Sequence, residues 1–448
     1  MDEPHEQPDL LEAAKTVLQL NDRGIYTAPT SQGAYPHQWL WDSCFVAIGR
    51  RHYDVERAQT EILSLLAGQW ANGMLPNIIF TGGRHSRDSN IWRSWLNPNA
   101  PDQLSTSGVT QPPVIAEAVV RVGQKLKLPE RRTWYHTVFP ALLAYHQWLY
   151  RERDPHGEGL ILLIHPWETG MDNTAPWMNE LHEHQMALWI RAVDKLNLAP
   201  LFNIFRNDTR YIPAAERIST VDALALYSTQ RRLRRKSYDI ERVLAHSLFA
   251  IEDVSFNAIL IRANEHLRNM AKTIRYDLPP ELLERMKKTE ETFEALWDPY
   301  SGQYYSREFV THRLLKVPSI GTLMPLYAGS ISKDRAKVLV KLLEDEHQFG
   351  ANFPIPSSPL NSEWFKANGY WQGPSWVNTN WLIIDGLQRY GFKDHADALA
   401  ETTLEMVARG GFYEYFSPLD GSPHGAENFS WTAGLTIDLL QEHSLPKS

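Results

Sequence analysis

Cysteine is nearly absent from the chain. Cys44 is the single one in 448 residues, so no intramolecular disulfide can form and stability has to come from packing. Its neighbours, Ser43, Phe45, Val46 and Ala47, mark it as a small buried hydrophobe rather than a nucleophile. Long apolar runs are missing too: none approaches the roughly 20 residues that a membrane-spanning helix needs. The first residues, Met1-Asp-Glu-Pro-His-Glu6, are acidic and lack the basic-then-apolar order of a secretory leader. A cytoplasmic protein with no membrane partner is the expectation. There is no basic excess either. Lys and Arg total 45 against 53 Asp and Glu, a net charge of -8, which argues against a nucleic-acid partner. The run Arg231-Arg-Leu-Arg-Arg-Lys236 is the exception and reads as a solvated helix face.

Aromatic residues, by contrast, are plentiful and clustered. The 16 tryptophans include Trp39/Trp41, Trp92/Trp95, Trp167/Trp177 and Trp364/Trp371/Trp376/Trp381, mostly beside Gly, Pro, Asp or Glu. Tryptophan in such loop-like contexts needs a reason other than helix packing, and lining a pocket is one. Between the clusters the apolar residues recur at helical spacing. Helices are expected over 10–20, 55–70, 114–126, 134–150, 177–196, within 221–274 as two or three pieces, and over 279–296, 319–328 and 334–343, with a last one ending near 441. Credible strands are very few; Gly159-Leu-Ile-Leu-Leu-Ile164 is one. The stretch 81–101, with Gly82-Gly83 and isolated aromatics, reads as a long loop, and loops of that length in compact domains are usually functional or disordered. With Arg84, Arg87, Arg93, Trp92 and Trp95 it is a candidate lid over an anionic substrate.

One segment concentrates chemistry. His165-Pro-Trp167-Glu168-Thr-Gly170-Met-Asp172-Asn-Thr-Ala-Pro-Trp177 puts two carboxylates, two indoles and a glycine turn directly after an apolar run. An acid placed there sits at the rim of a cavity, and indole faces beside carboxylates suit a sugar, whose CH surfaces stack while its hydroxyls hydrogen-bond. A capping role for Asp172 at the next helix competes with this reading. The same ambiguity attaches to Asp42 in Trp39-Leu-Trp41-Asp42, which falls where an N-cap would sit. His182 and His184 do not make a metal pair: residues two apart on a helix diverge. No metal and no organic cofactor is expected.

Trp167-Glu-Thr-Gly-Met-Asp172-Asn resembles the general-acid motif of glycoside hydrolase family 63, inverting α-glycosidases on (α/α)6 barrels related to the trehalases. Within that family the chain most resembles the compact bacterial mannosylglycerate and glucosylglycerate hydrolases. Asn368-Gly-Tyr370-Trp371-Gln372-Gly-Pro-Ser-Trp376 and Tyr413-Glu414-Tyr-Phe-Ser-Pro418 carry the resemblance further, and it spans nearly the whole chain. It implies an all-α fold, an (α/α)6 barrel with long active-site loops, as one domain over 1–448 with the lid near 81–101. It implies that Asp172 is the acid and Glu414 the base, although Glu427, in Gly425-Ala-Glu427-Asn-Phe-Ser-Trp431, is a second carboxylate in reach of the same part of the sequence. It implies that Asp42 bonds sugar hydroxyls, that Gln111 contacts substrate and that Arg217 contacts the sugar, though Ile218 stands where relatives commonly have Pro. Gln372 stands where many relatives have Arg, so a salt bridge to a substrate anion is not expected there.

Inverting hydrolysis needs one protonated carboxyl at the leaving oxygen and one carboxylate for the attacking water, roughly 6.5–9.5 Å apart. Trp39, Trp41, Trp167, Gly170, Tyr370, Trp371, Gln372 and Trp376 are expected to form the sugar pocket, with Glu168 orienting the sugar or tuning Asp172. The expected substrate is glucosylglycerate or mannosylglycerate, an anionic compatible solute that Tyr35, Gln111, Tyr370 and the loop arginines could meet. The alternatives are an α-glucosidase acting on a neutral disaccharide or oligosaccharide, a sugar epimerase, and a non-catalytic sugar-binding module. Homo-oligomerisation is left open.

Overall fold

The computed structural model describes residues 9–31, 33–84, 86–182, 186–206, 208–245 and 249–443, with backbone alone at 203–205 and 208. Among these, twelve helices alternate between an outer and an inner ring. They are α1 (Leu10–Leu20), α2 (Leu40–Arg50), α3 (Val55–Ala67), α4 (Ile115–Gln124), α5 (Leu128–Glu152), α6 (Val254–Ile274), α7 (Pro280–Thr292), α8 (Pro325–Ala328), α9 (Lys333–Glu344), α10 (Val377–Tyr390), α11 (Lys393–Gly410) and α12 (Ser430–Glu442). The even-numbered helices close a circle, α12 against α2, then α4, α6, α8, α10 and back to α12, and the odd-numbered ones cover it from outside. This alternation makes the inner helices run parallel, so their N-termini gather at one end. The circle closes where α2 and α12 nearly touch: a Cβ on Gly49 would collide with the Gly434 backbone.

Local chemistry starts several of these helices. Asp9, Asp54, Asp253 and Ser332 accept N–H bonds in the first turns of α1, α3, α6 and α9. The apolar faces meet in one core between the rings, with Trp134, Phe139 and Trp148 from α5 and Phe256 and Leu260 from α6 among its buried members.

Short strands fasten the loops at the inner N-terminal end. β1 (Gln38–Trp39), β2 (Ile78–Phe80) and β3 (Ser105–Thr106) form one antiparallel sheet, with Gln38 opposite Ile79 and Ile79 opposite Thr106. β4 (Leu162–Leu163), β5 (Ile251–Glu252) and β8 (Arg307–Glu308) form another, β6 (Trp297–Asp298) and β7 (Gln303–Tyr304) a hairpin, and β9 (Tyr415–Phe416) and β10 (Pro423–His424) a second hairpin.

Several boundaries differ from the sequence expectation. α3 stops at Ala67 with Gly68 as its cap, which leaves Trp70 outside the helix. α5 begins at Leu128, where Glu130 accepts the Lys127 N–H, and it runs through the exposed Pro140 while its other face, with Trp134, Val138, Phe139 and Leu142, is buried in the core. The expected helix over 177–196 is two, Ala175–Glu180 and Leu188–Lys195. The supposed loop 81–101 contains the helix Arg87–Trp92 and a 3-10 turn, Ser94–Leu96, because Ser86 caps the Ser89 N–H and Trp92 is buried against Trp167 and Tyr238. Among the described residues no helix is long and apolar enough to cross a membrane.

Candidate active site

At the N-terminal end of the inner ring lies a cavity of about 240 Å³. Of the residues expected to form the site, Tyr35, Trp39, Trp41, Asp42, Gln111, Trp167, Gly170, Asp172, Arg217, Tyr370 and Glu414 line it.

Asp172 follows a 3-10 turn, Pro166–Thr169, that ends at Gly170 with φ +73°. Gly170 is required twice over, for that left-handed backbone and because a Cβ there would sit 2.6 Å from the Trp41 ring. The capping alternative fails: Thr174 is the N-cap residue of the helix Ala175–Glu180, and it is the Asp172 backbone carbonyl, not its side chain, that accepts the Trp177 indole N–H at 3.2 Å. The Asp172 side chain, half-buried, receives the Tyr370 hydroxyl at 3.5 Å. Burial pushes its carboxyl up from 3.8 to about 7; the charge on Glu414 adds to the rise, and Arg217 opposes it.

Glu414 precedes β9 and is buried. It accepts the Tyr35 hydroxyl at 3.1 Å and the Ala426 N–H at 3.1 Å, and Arg217 Nη1 lies 3.2 and 3.3 Å from its two oxygens. Arg217 is no surface residue: its side chain is buried, 4.2 Å over the Tyr370 ring and 5.6 Å from that of Tyr35. Glu427 is exposed, accepts the Tyr413 hydroxyl at 2.8 Å and does not line the cavity. Asp42 is also not an N-cap. It lies buried in the first turn of α2 after the capping position, Trp39, and burial, then the charges of Glu414 and Asp172, push its carboxyl well up.

Three expected wall residues do not reach the cavity. Trp371 and Trp376 are buried behind Tyr370, stacked with ring centroids 3.7 Å apart and planes 1° from parallel. Trp376 Nε1 donates to the Tyr370 carbonyl at 3.1 Å, and Gln372 Nε2 to the Asn173 carbonyl at 2.9 Å. With the Trp371 N–H donating to Asn173 Oδ1 at 2.9 Å, these residues pin the Asp172 loop to the Tyr370 loop. Glu168 likewise points away from the sugar space. It is fully buried, paired with Arg153 at 3.0 and 2.7 Å, and accepts the Ile164 and Thr110 N–H groups. Arg84, Arg87 and Arg93 are exposed and do not line the cavity, because the helix Arg87–Trp92 turns Asp88, Ile91 and Trp92 inward instead.

Sequence reasoning passed over several lining groups. His37 Nε2 lies 3.0 Å from Asp88 Oδ2 at the rim. Arg206, which donates to the Ile218 carbonyl at 2.8 Å, is a second guanidinium in the wall, and Tyr227, Phe429 and Trp431 complete it. Trp431 had a signal in its Phe-Ser-Trp-Thr segment; Arg206 and Tyr227 lie in stretches without a motif.

As to metals, His182 pairs with Asp222 at 2.6 Å, and His184 lies outside the described residues. His52, Asp438 and Glu442 have ligand-like spacing, but the Arg51 guanidinium already sits 2.8 and 2.7 Å from the two carboxylates.

Residues 35–432 match the model of the mannosylglycerate hydrolase MGH1-like glycoside hydrolase domain. The chain belongs to this glycoside hydrolase family. It is 38% identical to mannosylglycerate hydrolase of Thermus thermophilus, covering 95% of this chain and 99% of that one. It is 31% identical to glucosylglycerate hydrolase of Mycolicibacterium hassiacum, covering 95% and 96%. Among solved structures it superposes with TM-score 0.84, at 37% identity and over 96% and 99% of the two chains, on a family 63 mannosylglycerate hydrolase from Thermus thermophilus in complex with Tris and D-glycerate. Membership in family 63 bears out the expected (α/α)6 barrel and enzyme class, and the ring of six inner helices is that barrel.

Proposed function

We propose that the chain hydrolyses an α-hexosylglycerate to free hexose and glycerate with inversion at the anomeric carbon, Asp172 acting as acid and Glu414 as base. One observation carries this reading: a proton-holding Asp172 and an arginine-paired Glu414 face the same small cavity. Asp172 gives its proton to the glycosidic oxygen as the bond to the anomeric carbon breaks. A water attacks the opposite face of that carbon and passes its proton to Glu414. Trp39, Trp41 and Trp167 offer aromatic faces to the sugar, and Asp42, whose carboxyl burial pushes well up, stands in the same wall to hydrogen-bond a hydroxyl.

The size of the cavity supports a small glycoside. At about 240 Å³ it suits a sugar with a small aglycone. The glycerate carboxylate calls for a cation or several neutral donors, and Tyr35, Gln111 and Tyr370 are such donors in the wall. Two guanidiniums stand in the wall: Arg217, paired with Glu414, and Arg206, which donates to the Ile218 carbonyl and the Thr220 hydroxyl. Relatives named for both conjugates match, the mannosyl one with higher identity, so mannosylglycerate is the first substrate to assay.

The test is proton NMR of the anomeric signals with mannosylglycerate, glucosylglycerate, trehalose and kojibiose. Initial release of β-hexose from a glycerate conjugate is expected. Initial α-hexose would overturn the inverting scheme, and turnover of the neutral sugars alone would remove glycerate.

A further inference from the structure

Arg217 lies outside the barrel helices, on the long segment between α5 and α6, yet its guanidinium touches Glu414, which lies between α11 and α12. Something has to hold two such distant pieces of chain in register to within an ångström. Downstream, the Ile218 carbonyl is held by Arg206. Upstream, the neighbouring Glu216 closes a short turn, Ala214–Glu216, and reaches across to the β9–β10 hairpin. Its Oε2 accepts the Gly425 N–H at 2.8 Å, its Oε1 lies 3.1 Å from His424 Nδ1, and its backbone carbonyl accepts the Tyr415 hydroxyl. The next N–H along, that of Ala426, donates to Glu414 itself. Glu216 therefore grips the same turn that orients Glu414, one residue before the guanidinium that pairs with it.

We propose that Glu216 is a positioning residue for the hydrolysis: its carboxylate clips the Arg217 segment to the 424–426 turn and so sets where the guanidinium stands against Glu414 and Asp172. This rests on the hydrolytic reading above. Glu216 touches neither substrate space nor reacting atoms, since it does not line the cavity. It acts through Arg217, whose charge also lowers the Asp172 carboxyl. The groups facing Asp172 are Arg217, Glu414, Tyr370 and Asp42; those facing Glu216 are His424, Tyr413 and Tyr415.

The consequence has a distinctive sign. Removing the Glu216 charge alone takes a negative charge away and would draw the Asp172 carboxyl down. Letting Arg217 drift takes a positive charge away and sends it up. Glu216→Ala is therefore expected to lower kcat/KM roughly ten- to a hundredfold and to move the alkaline limb of its pH profile upward. Glu216→Gln keeps an oxygen for the Gly425 N–H and is expected to restore most of the activity with the limb at or below the wild-type position. His424→Ala, which leaves the Gly425 bond, is expected to give an intermediate effect and serves if Glu216→Ala fails to fold. Crystal structures of the variants read the geometry without substrate: in Glu216→Ala the Arg217–Glu414 contact is expected to be lost. An Arg217 that stays in place, or an alkaline limb that does not rise in Glu216→Ala, overturns the proposal. Wild-type protein that hydrolyses no hexosylglycerate while Arg217 still moves in Glu216→Ala would sink the hydrolytic reading and leave the clip standing.

Discussion

Arg217 Nη1 lies 3.2 Å from one Glu414 oxygen and 3.3 Å from the other, while its guanidinium stacks 4.2 Å over the ring of Tyr370, whose hydroxyl reaches Asp172. One cation thus bears on both carboxyls. It keeps a carboxylate company at Glu414 and limits how far burial lifts Asp172. Raising one acid by burial beside an arginine-paired carboxylate lets one site hold a proton donor and a proton acceptor at the same pH.

Asp172→Asn and Glu414→Gln should each lower kcat by about 10²–10⁴-fold, the usual weight of a positioned proton donor or acceptor. Glu427→Ala should stay within about twofold, because the exposed Glu427 does not line the cavity. Hexose release by the three variants checks this, and an inactive Glu427→Ala would overturn the choice of base.

Activity should fall as pH rises above about 7, where Asp172 loses the proton it has to donate. The same carboxyl has a stability signature. Its folded value is raised from 3.8 to about 7, so the unfolded chain releases the proton first. Its contribution to stability therefore declines as pH climbs through that window, and the cost is complete above it. Asp172→Asn removes that cost. Thermal melts should show the variant more stable than wild type at pH 8, with the difference fading towards pH 4.

Trp371→Ala should cost about 3–5 kcal/mol of stability, as expected for emptying a buried aromatic site. Trp371 is stacked at 3.7 Å on Trp376 behind the cavity wall. The milder Trp371→Phe should keep KM near wild type; a large rise in KM without loss of stability would return Trp371 to the sugar pocket. Urea denaturation and steady-state kinetics separate the two.

Arg153→Met should destabilise by about 3–5 kcal/mol, because it strands the buried Glu168 carboxylate that Arg153 now pairs at 2.7 Å. Denaturant midpoints test this, and KM of the folded fraction should change little, as Glu168 is not in the cavity wall.

Arg206→Ala should raise KM for a hexosylglycerate by roughly tenfold or more beyond its effect on a neutral aryl hexoside, whose loss reads only the released Ile218 carbonyl. Equal losses on both substrates would assign Arg206 to holding the Ile218 carbonyl instead.

The parts whose physics is local were legible in the order of residues. Helical periodicity placed α1 at 10–20 to the residue and located most of the later helices, because burying one face every 3.6 residues leaves its mark on neighbouring positions. The Asp172 loop was legible for the same reason: its glycine turn, acid and tryptophans lie within a few residues of each other. Which side of a wall each group faces depends instead on how distant segments pack together. Trp39 and Trp371 sit in equally Gly- and Pro-rich surroundings, yet one lines the cavity and the other is stacked behind it. Glu168 and Asp172 are four residues apart, and one is consumed by Arg153 while the other faces the cavity. Arg206, Asp88 and the Glu216 clip were invisible because each gains its meaning from a partner in another loop. A side chain's polar surroundings are set by chain segments brought together only when the ring closes, and no spacing along one segment encodes them.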